Sequence, residues 1–153
     1  MKEREELKEI IKGLKEEGRR TVFTNGCFDI LHRGHVIYLE EARRRGDCLI
    51  VGVNSDSSVR QVKGEKRPIV PQEVRMAVLA ALEVVDYVVS FDEPDPFELV
   101  SYLRPHILVK GGDWDEQEVV GRELVEQTIV LPYVEGASTS GIIETIIQRY
   151  SKP

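Results

Sequence analysis

From residue 21 to residue 131 five short apolar runs alternate with stretches of helical periodicity. The runs are Thr21–Thr24, Cys48–Val53, Tyr87–Val89, Ile107–Val109 and Thr128–Leu131. Cys48–Val53 is apolar throughout, the pattern of a strand covered on both faces. Residues 3–17 place Leu7, Ile10, Ile11 and Leu14 on one helical stripe, and Gly18 ends it. Further helices are predicted over 34–45, over 71–83 with Val74, Val78 and Leu82 inward, and over 95–103. A last one starts near Ser138 and is expected to bury Ile142, Ile143, Ile146 and Ile147. Between Asn54 and Pro71 the pattern suggests a short helix and then a mobile loop.

Strands alternating with helices over short connections require a parallel sheet with helices on both faces. The expectation is a Rossmann-like, doubly wound α/β sheet of about five strands. Its 153 residues form a single domain, with residues 1–18 as an amphipathic helix packed on it. No apolar run approaches the length of a membrane span. Met1 leads straight into Lys2-Glu3-Arg4-Glu5-Glu6, with no apolar signal region, so a cytoplasmic location is expected. Cys27 and Cys48 lie too far apart in sequence for a C-x-x-C pair. A net charge of −6 opposes approach to a nucleic-acid backbone, so neither a nucleic acid nor a membrane is expected as partner.

Sheets of this kind bind ligands beyond the carboxyl ends of their strands. After the first run comes Thr24-Asn25-Gly26-Cys27-Phe28-Asp29-Ile30-Leu31-His32-Arg33-Gly34-His35. Asn25-Gly26 lets the chain turn, and the following helix would point its free N–H groups and positive dipole end at the same space. That is an anion site. Gly34 would leave room for a phosphate to touch backbone, and His32 and His35 stand side by side if the turn is helical. Zinc on Asp29, His32 and His35 is the other chemical reading. The anion site needs no metal, and none is expected. Two surface histidines at a helix start are the bland reading. Near the C-terminus, Gly136-Ala137-Ser138-Thr139-Ser140 opens another helix, whose hydroxyls would cap it in any case.

The segment Gly26-Cys27-Phe28-Asp29-x-x-His32-x-Gly34-His35, together with Gly136-x-Ser138-Thr139-Ser140, resembles the cytidylyltransferase-like nucleotidyltransferases. The resemblance implies that His32, His35, Lys63 and Arg75 contact the triphosphate and stabilise the transition state. It places Thr24, Asn25, Gly26, Cys27, Phe28, Gly34, Tyr133, Gly136, Ser138, Thr139 and Ser140 against the nucleotide, and Asp29, Asp113 and Trp114 against the acceptor. Lys66 and Arg67 are weaker candidates among the cations. Mg²⁺ is expected to accompany ATP, and a homodimer is the expected assembly. Arg33, between the histidines, departs from the small or apolar residues usual there.

Lys63-Gly64 followed by Arg67-Pro68-Ile69, Leu108-Val109-Lys110-Gly111-Gly112-Asp113-Trp114 and Val119-Val120-Gly121-Arg122-Glu123 resemble one branch of that family. Its members transfer AMP from ATP to a sugar 1-phosphate, heptose 1-phosphate, giving ADP-heptose and pyrophosphate. The resemblance implies a separate sugar kinase that supplies the acceptor. Two alternatives stand beside it. One is a CTP-dependent enzyme of the glycerol-3-phosphate cytidylyltransferase type, which carries Arg where Tyr133 stands; the other is a non-catalytic nucleotide-binding protein.

Overall fold

The computed structural model describes residues 1–152. Five strands form one sheet: β1 (Thr21–Gly26), β2 (Cys48–Asn54), β3 (Tyr87–Phe91), β4 (Ile107–Gly111) and β5 (Gln127–Leu131). Their spatial order is β3-β2-β1-β4-β5, and every pairing is parallel. The expected doubly wound sheet is therefore present. Strand order reverses between β1 and β4, where Val22 faces Ile107 and Thr24 faces Val109. A crevice opens there beyond the strand ends.

Because successive residues point to opposite faces, each apolar strand feeds two cores. Val22, Leu49, Val51, Val88 and Val109 turn toward Leu39 of α2 (Arg33–Arg43) and Leu79 of α4 (Gln72–Ala80). Phe23, Ile50, Val89 and Leu108 turn toward α1 (Arg4–Glu16) and α5 (Phe97–Leu103). Leu7, Ile11 and Leu14 of α1 are buried, so the N-terminal helix belongs to the second core, as its stripe suggested. Each such side chain stabilises the packing by about 1.5–3 kcal/mol.

Three expectations need correction. The inward face of α4 carries Arg75, Met76 and Leu79, while Val74 and Val78 are 45% and 44% exposed. At 3.6 residues per turn neighbouring stripes differ by one step of 100°, and the partners of Arg75 decide which one turns inward. Between β4 and β5 the chain makes two short 3₁₀ turns, Glu116–Glu118 and Arg122–Leu124, rather than an α-helix. Finally, α6 (Thr139–Tyr150) buries none of its residues, and Ile146 and Ile147 are exposed. A 3.6-residue period shows that a stripe is apolar, not what covers it.

The helix expected after β2 is α3 (Asp56–Lys63). The loop behind it is held more firmly than its polar composition suggested. Arg67, Ile69 and Val70 are all tied to Asp29.

Candidate active site

The crevice beyond β1 and β4 holds a cavity of about 470 Å³. One wall is the loop from Asn25 to His35. Phe28 and Ile30 both sit at positive φ, +50° and +53°, a conformation that costs a non-glycine residue about 1–3 kcal/mol. Asp29, between them, holds the strained turn in place. Its buried carboxylate accepts from Arg67 Nε at 2.7 Å and from the backbone N–H groups of Ile69 and Val70 at 2.8 and 2.9 Å. Burial pushes its pKa up, but those backbone donors and Arg67 outweigh it and hold the carboxyl below its ordinary value. Asp29 thus ties the two loops together from the edge of the cavity.

The histidines cap α2 reciprocally. His32 Nδ1 accepts from Gly34 N at 3.1 Å, and His35 Nδ1 accepts from His32 N at 3.2 Å. The rings stack with centroids 3.8 Å apart, and Phe28 meets His35 edge-on at 5.4 Å. A ring nitrogen that accepts from backbone carries no proton, so hydrogen bonding assigns each proton to Nε2. Burial lowers both pKa values. For His35 burial is reinforced by His32 and Lys63 against Asp29, and the value falls to about 4. At neutral pH the pair therefore offers two uncharged Nε2–H donors.

Gly34 is required for a reason the sequence did not show. A Cβ there would lie 2.9 Å from both Ala137 Cβ and His32 Cε1, so the space is used for packing one wall against the other. The opposite wall is the N-terminus of α6. Ser138 Oγ accepts from Gly141 N, and Thr139 Oγ1 donates to the Asp29 carbonyl at 2.7 Å. First-turn N–H groups have no intrahelical acceptor, so those of Thr139 and Ser140 remain for an anion. Tyr133 lines the rim and is 72% exposed, so it does not cover the core. Its ring lies over Gly112, where a Cβ would approach it to 2.7 Å at a φ of +112°.

The cavity brings together His32, His35 and Lys63 with Asn25, Gly26, Cys27, Phe28 and Gly34 from the first wall. Tyr133, Ser138, Thr139 and Ser140 face them. Other expected residues lie elsewhere. Arg75 is 1% exposed and outside the cavity. Its guanidinium donates to the carbonyls of Val70, Cys27 and Asn54 and to Asp56 Oδ1, at 2.6 to 2.9 Å. All three guanidinium nitrogens are occupied, so its expected contact with phosphate is corrected to a brace between strand ends and α4. Thr24 is buried, with its hydroxyl against that of Tyr38. Gly136 borders a separate depression beside α6, Trp114 a second cavity, and Asp113 neither.

Lys110 was missed as a site residue. It is the second-last residue of β4, at the order reversal, and borders the main cavity. Extending the apolar run Ile107–Val109 by one residue would have put it at a strand's carboxyl end. Burial raises the Cys27 pKa, so that thiol stays protonated and is no nucleophile at neutral pH. Among the described residues no group of three His, Cys, Asp or Glu side chains is placed to hold a metal. Among the described residues no helix is long and apolar enough to cross a membrane.

A parallel sheet with helix N-termini gathered at its order reversal is a framework that enzymes transferring nucleotidyl groups share with other nucleotide-binding α/β proteins. The model of the cytidylyltransferase-like family matches residues 23–145, and the chain belongs to that family of nucleotidyltransferases. It is 52% identical over 155 residues to the bifunctional protein HldE of Pelobacter propionicus, covering 99% of this chain and 32% of that protein. With HldE of Wolinella succinogenes the identity is 54%, over 94% of this chain and 30% of the relative. The chain thus spans about a third of the length of these relatives. Among solved structures it resembles the lipopolysaccharide core biosynthesis protein of Thermoplasma volcanium. That match has a TM-score of 0.67 and 33% identity, over 78% of this chain and all of that one.

Proposed function

We propose that this chain transfers AMP from ATP to a sugar 1-phosphate, heptose 1-phosphate, giving ADP-heptose and pyrophosphate. One observation carries the reading. Two helix N-termini and two neutral imidazoles converge on a single cavity with Lys63 beside it, a set of donors that suits a polyphosphate. The similarity to HldE and to a lipopolysaccharide core biosynthesis protein supports a sugar phosphate as acceptor.

The reaction needs no general base. A phosphate monoester has a second pKa of about 6, so its oxygen attacks the α-phosphorus already ionised. The enzyme aligns two anions and neutralises charge that moves toward pyrophosphate. His32 and His35 donate from Nε2 to the departing phosphates, where fixed donors act most strongly. Mg²⁺ enters with ATP, since this ion prefers phosphate oxygens and water over an all-protein cage. The ATP requirement places the reaction in the cytoplasm, and a sugar kinase supplies the acceptor. The exposed apolar side of α6 fits a homodimer.

Adenine is favoured over cytosine because Tyr133 presents a ring face at the rim and no guanidinium fork for the cytosine edge. A pyrophosphate-release assay with ATP and CTP against a panel of sugar phosphates tests the reading. Heptose 1-phosphate with ATP is expected to dominate, with kcat/KM at least about tenfold above that for CTP, or about 1.4 kcal/mol. Tyr133→Arg should shift that ratio toward CTP. Preference for CTP and glycerol 3-phosphate overturns the assignment, and nucleotide binding without turnover points to the non-catalytic alternative.

A further inference from the structure

A second cavity, of about 370 Å³, adjoins the first. The two share Asn25, Gly26, Cys27, Lys63 and Lys110 as a common wall. Beyond that wall the second cavity is mostly apolar, with Trp114, Leu108, Pro96 and Val119 on its sides and Asp95 among them.

The cations around the crevice divide sharply. Arg67 is paired with Asp29 at 2.7 Å and Arg75 with Asp56 at 2.8 Å. Among the described residues, Lys63 and Lys110 have no carboxylate partner and no side-chain hydrogen bond. Lys110 is half-buried, and its Nζ lies 5.3 Å from the centroid of the Trp114 ring. An ammonium taken out of water without a counter-ion is costly, and a second one nearby raises that cost. Burial depresses the Lys110 pKa; Cys27 opposes it, and Lys63 adds a smaller push downward. The fold maintains an unneutralised pair at the boundary between two cavities, which a dianion would relieve.

The nucleotide already has its donors on the far side, in the two helix N-termini and the histidines. We propose that Lys110 is a catalytic residue that grips the phosphate of the acceptor, with the acceptor's sugar lying in the second cavity against Trp114. The inference rests on the nucleotidyl-transfer reading above and adds the residue that holds the acceptor's phosphate. From that position an oxygen of the acceptor phosphate forms a bond to the α-phosphorus of ATP. The bond from that phosphorus to the α,β-bridging oxygen breaks, and its electron pair leaves with pyrophosphate. No proton has to move. The C–H face of a sugar ring packs on an indole, and Asp95 and Asn25 offer polar atoms for its hydroxyls.

Trp114 is the chain's only tryptophan, so intrinsic emission reports directly on this cavity. Wild type and Lys110→Met are titrated with heptose 1-phosphate in the absence of ATP, and ATP affinity is measured separately by calorimetry. Heptose 1-phosphate should change the emission of wild type, and Lys110→Met should need a roughly 30-fold higher concentration, as expected for a lost charge-assisted contact. ATP affinity should stay within about twofold, and acceptor KM should rise with acceptor Kd. Without ligand the variant should melt no lower than wild type, since an unpaired charge has been removed; a lower Tm would mark a structural role and overturn the inference. So would unchanged acceptor binding, an equal loss for ATP, or no emission response in wild type. A wild type that binds heptose 1-phosphate at Trp114 but releases no pyrophosphate refutes the transfer reading, while the variant's titration still decides the role of Lys110 in phosphate binding.

Discussion

The two helix N-termini that close the main cavity are built in opposite ways. α2 is set into the sheet, with Leu39 and Ala42 buried, ring nitrogens as caps, and a strained loop held by a carboxylate with three donors. α6 buries no residue, and its first turn is tied to the loop after β1 by one hydroxyl and the contact of Ala137 with Gly34. Donors on the first wall are held in place by the fold itself, which is what the proposed transition-state stabilisation would require. Donors on the second wall are mounted on an element with little cohesion of its own, suited to closing on substrate and releasing product.

Damage to the fixed wall should therefore exceed damage to the other. The largest effect is expected at Arg75. Arg75→Met strands the carbonyls of Cys27, Asn54 and Val70 and leaves Asp56 with only the Gln72 backbone donor, and should lower stability by about 3–5 kcal/mol. Urea denaturation measures it, and a loss below about 1 kcal/mol would show the brace to be dispensable. His32→Ala and His35→Ala should each lower kcat by roughly 10²-fold, about 2.7 kcal/mol, in proteins that still fold. Near-normal turnover in both removes the histidines from the mechanism.

On the α6 side the effects are smaller. If its exposed apolar face joins two copies, the double change Ile146→Glu and Ile147→Glu should weaken dimerisation at least about tenfold by sedimentation. A wild type that is monomeric at every concentration ends that proposal. Thr139→Val removes the bond to the Asp29 carbonyl and should cost about 1 kcal/mol of stability. It should raise the KM for ATP several-fold with kcat little changed, whereas an equal fall in kcat would make this wall as rigid as the first.

The same contrast separates what was legible in the sequence from what was not. Strand positions and sheet class followed from apolar runs such as Cys48–Val53, whose burial on both faces leaves one kind of sheet. That His32, His35 and Ser138 gather at one crevice followed from their place beyond strand ends. Side-chain direction did not follow. Arg75 and Asp29 have the charges a ligand would want, yet both are spent on backbone groups that come close only after the chain has folded. Lys110 is the reverse, a strand-end residue whose lack of a partner appears only once its neighbours are in place. The stripe on α6 misled because periodicity measures amphipathicity and is silent about whether the covering surface belongs to the same chain.

A further effect concerns proton linkage at the fixed wall. Burial, His32 and Lys63 hold the His35 pKa at about 4, against 6.5 for an ordinary histidine, with Asp29 opposing them. The unfolded chain therefore takes up a proton near pH 6.5 that the folded chain refuses until about pH 4. Stability from the neutral ring is fully present above pH 6.5 and is lost progressively as pH falls toward 4. Burial shifts His32 the same way, while Asp29 acts in a lower window, losing its contribution below its ordinary carboxylate value of 3.8. His35→Asn keeps an acceptor near the Nδ1 position but has no proton to exchange in this range. The gap in Tm between wild type and His35→Asn should consequently be widest at pH 7.5 and narrow between pH 6.5 and pH 4.5. A gap that stays constant across that window would mean the ring titrates normally in the folded protein. The histidines would then be partly cationic at pH 6.5 and would meet ATP as charges, with activity rising as pH falls through 6.5. Neutral donors predict no such rise.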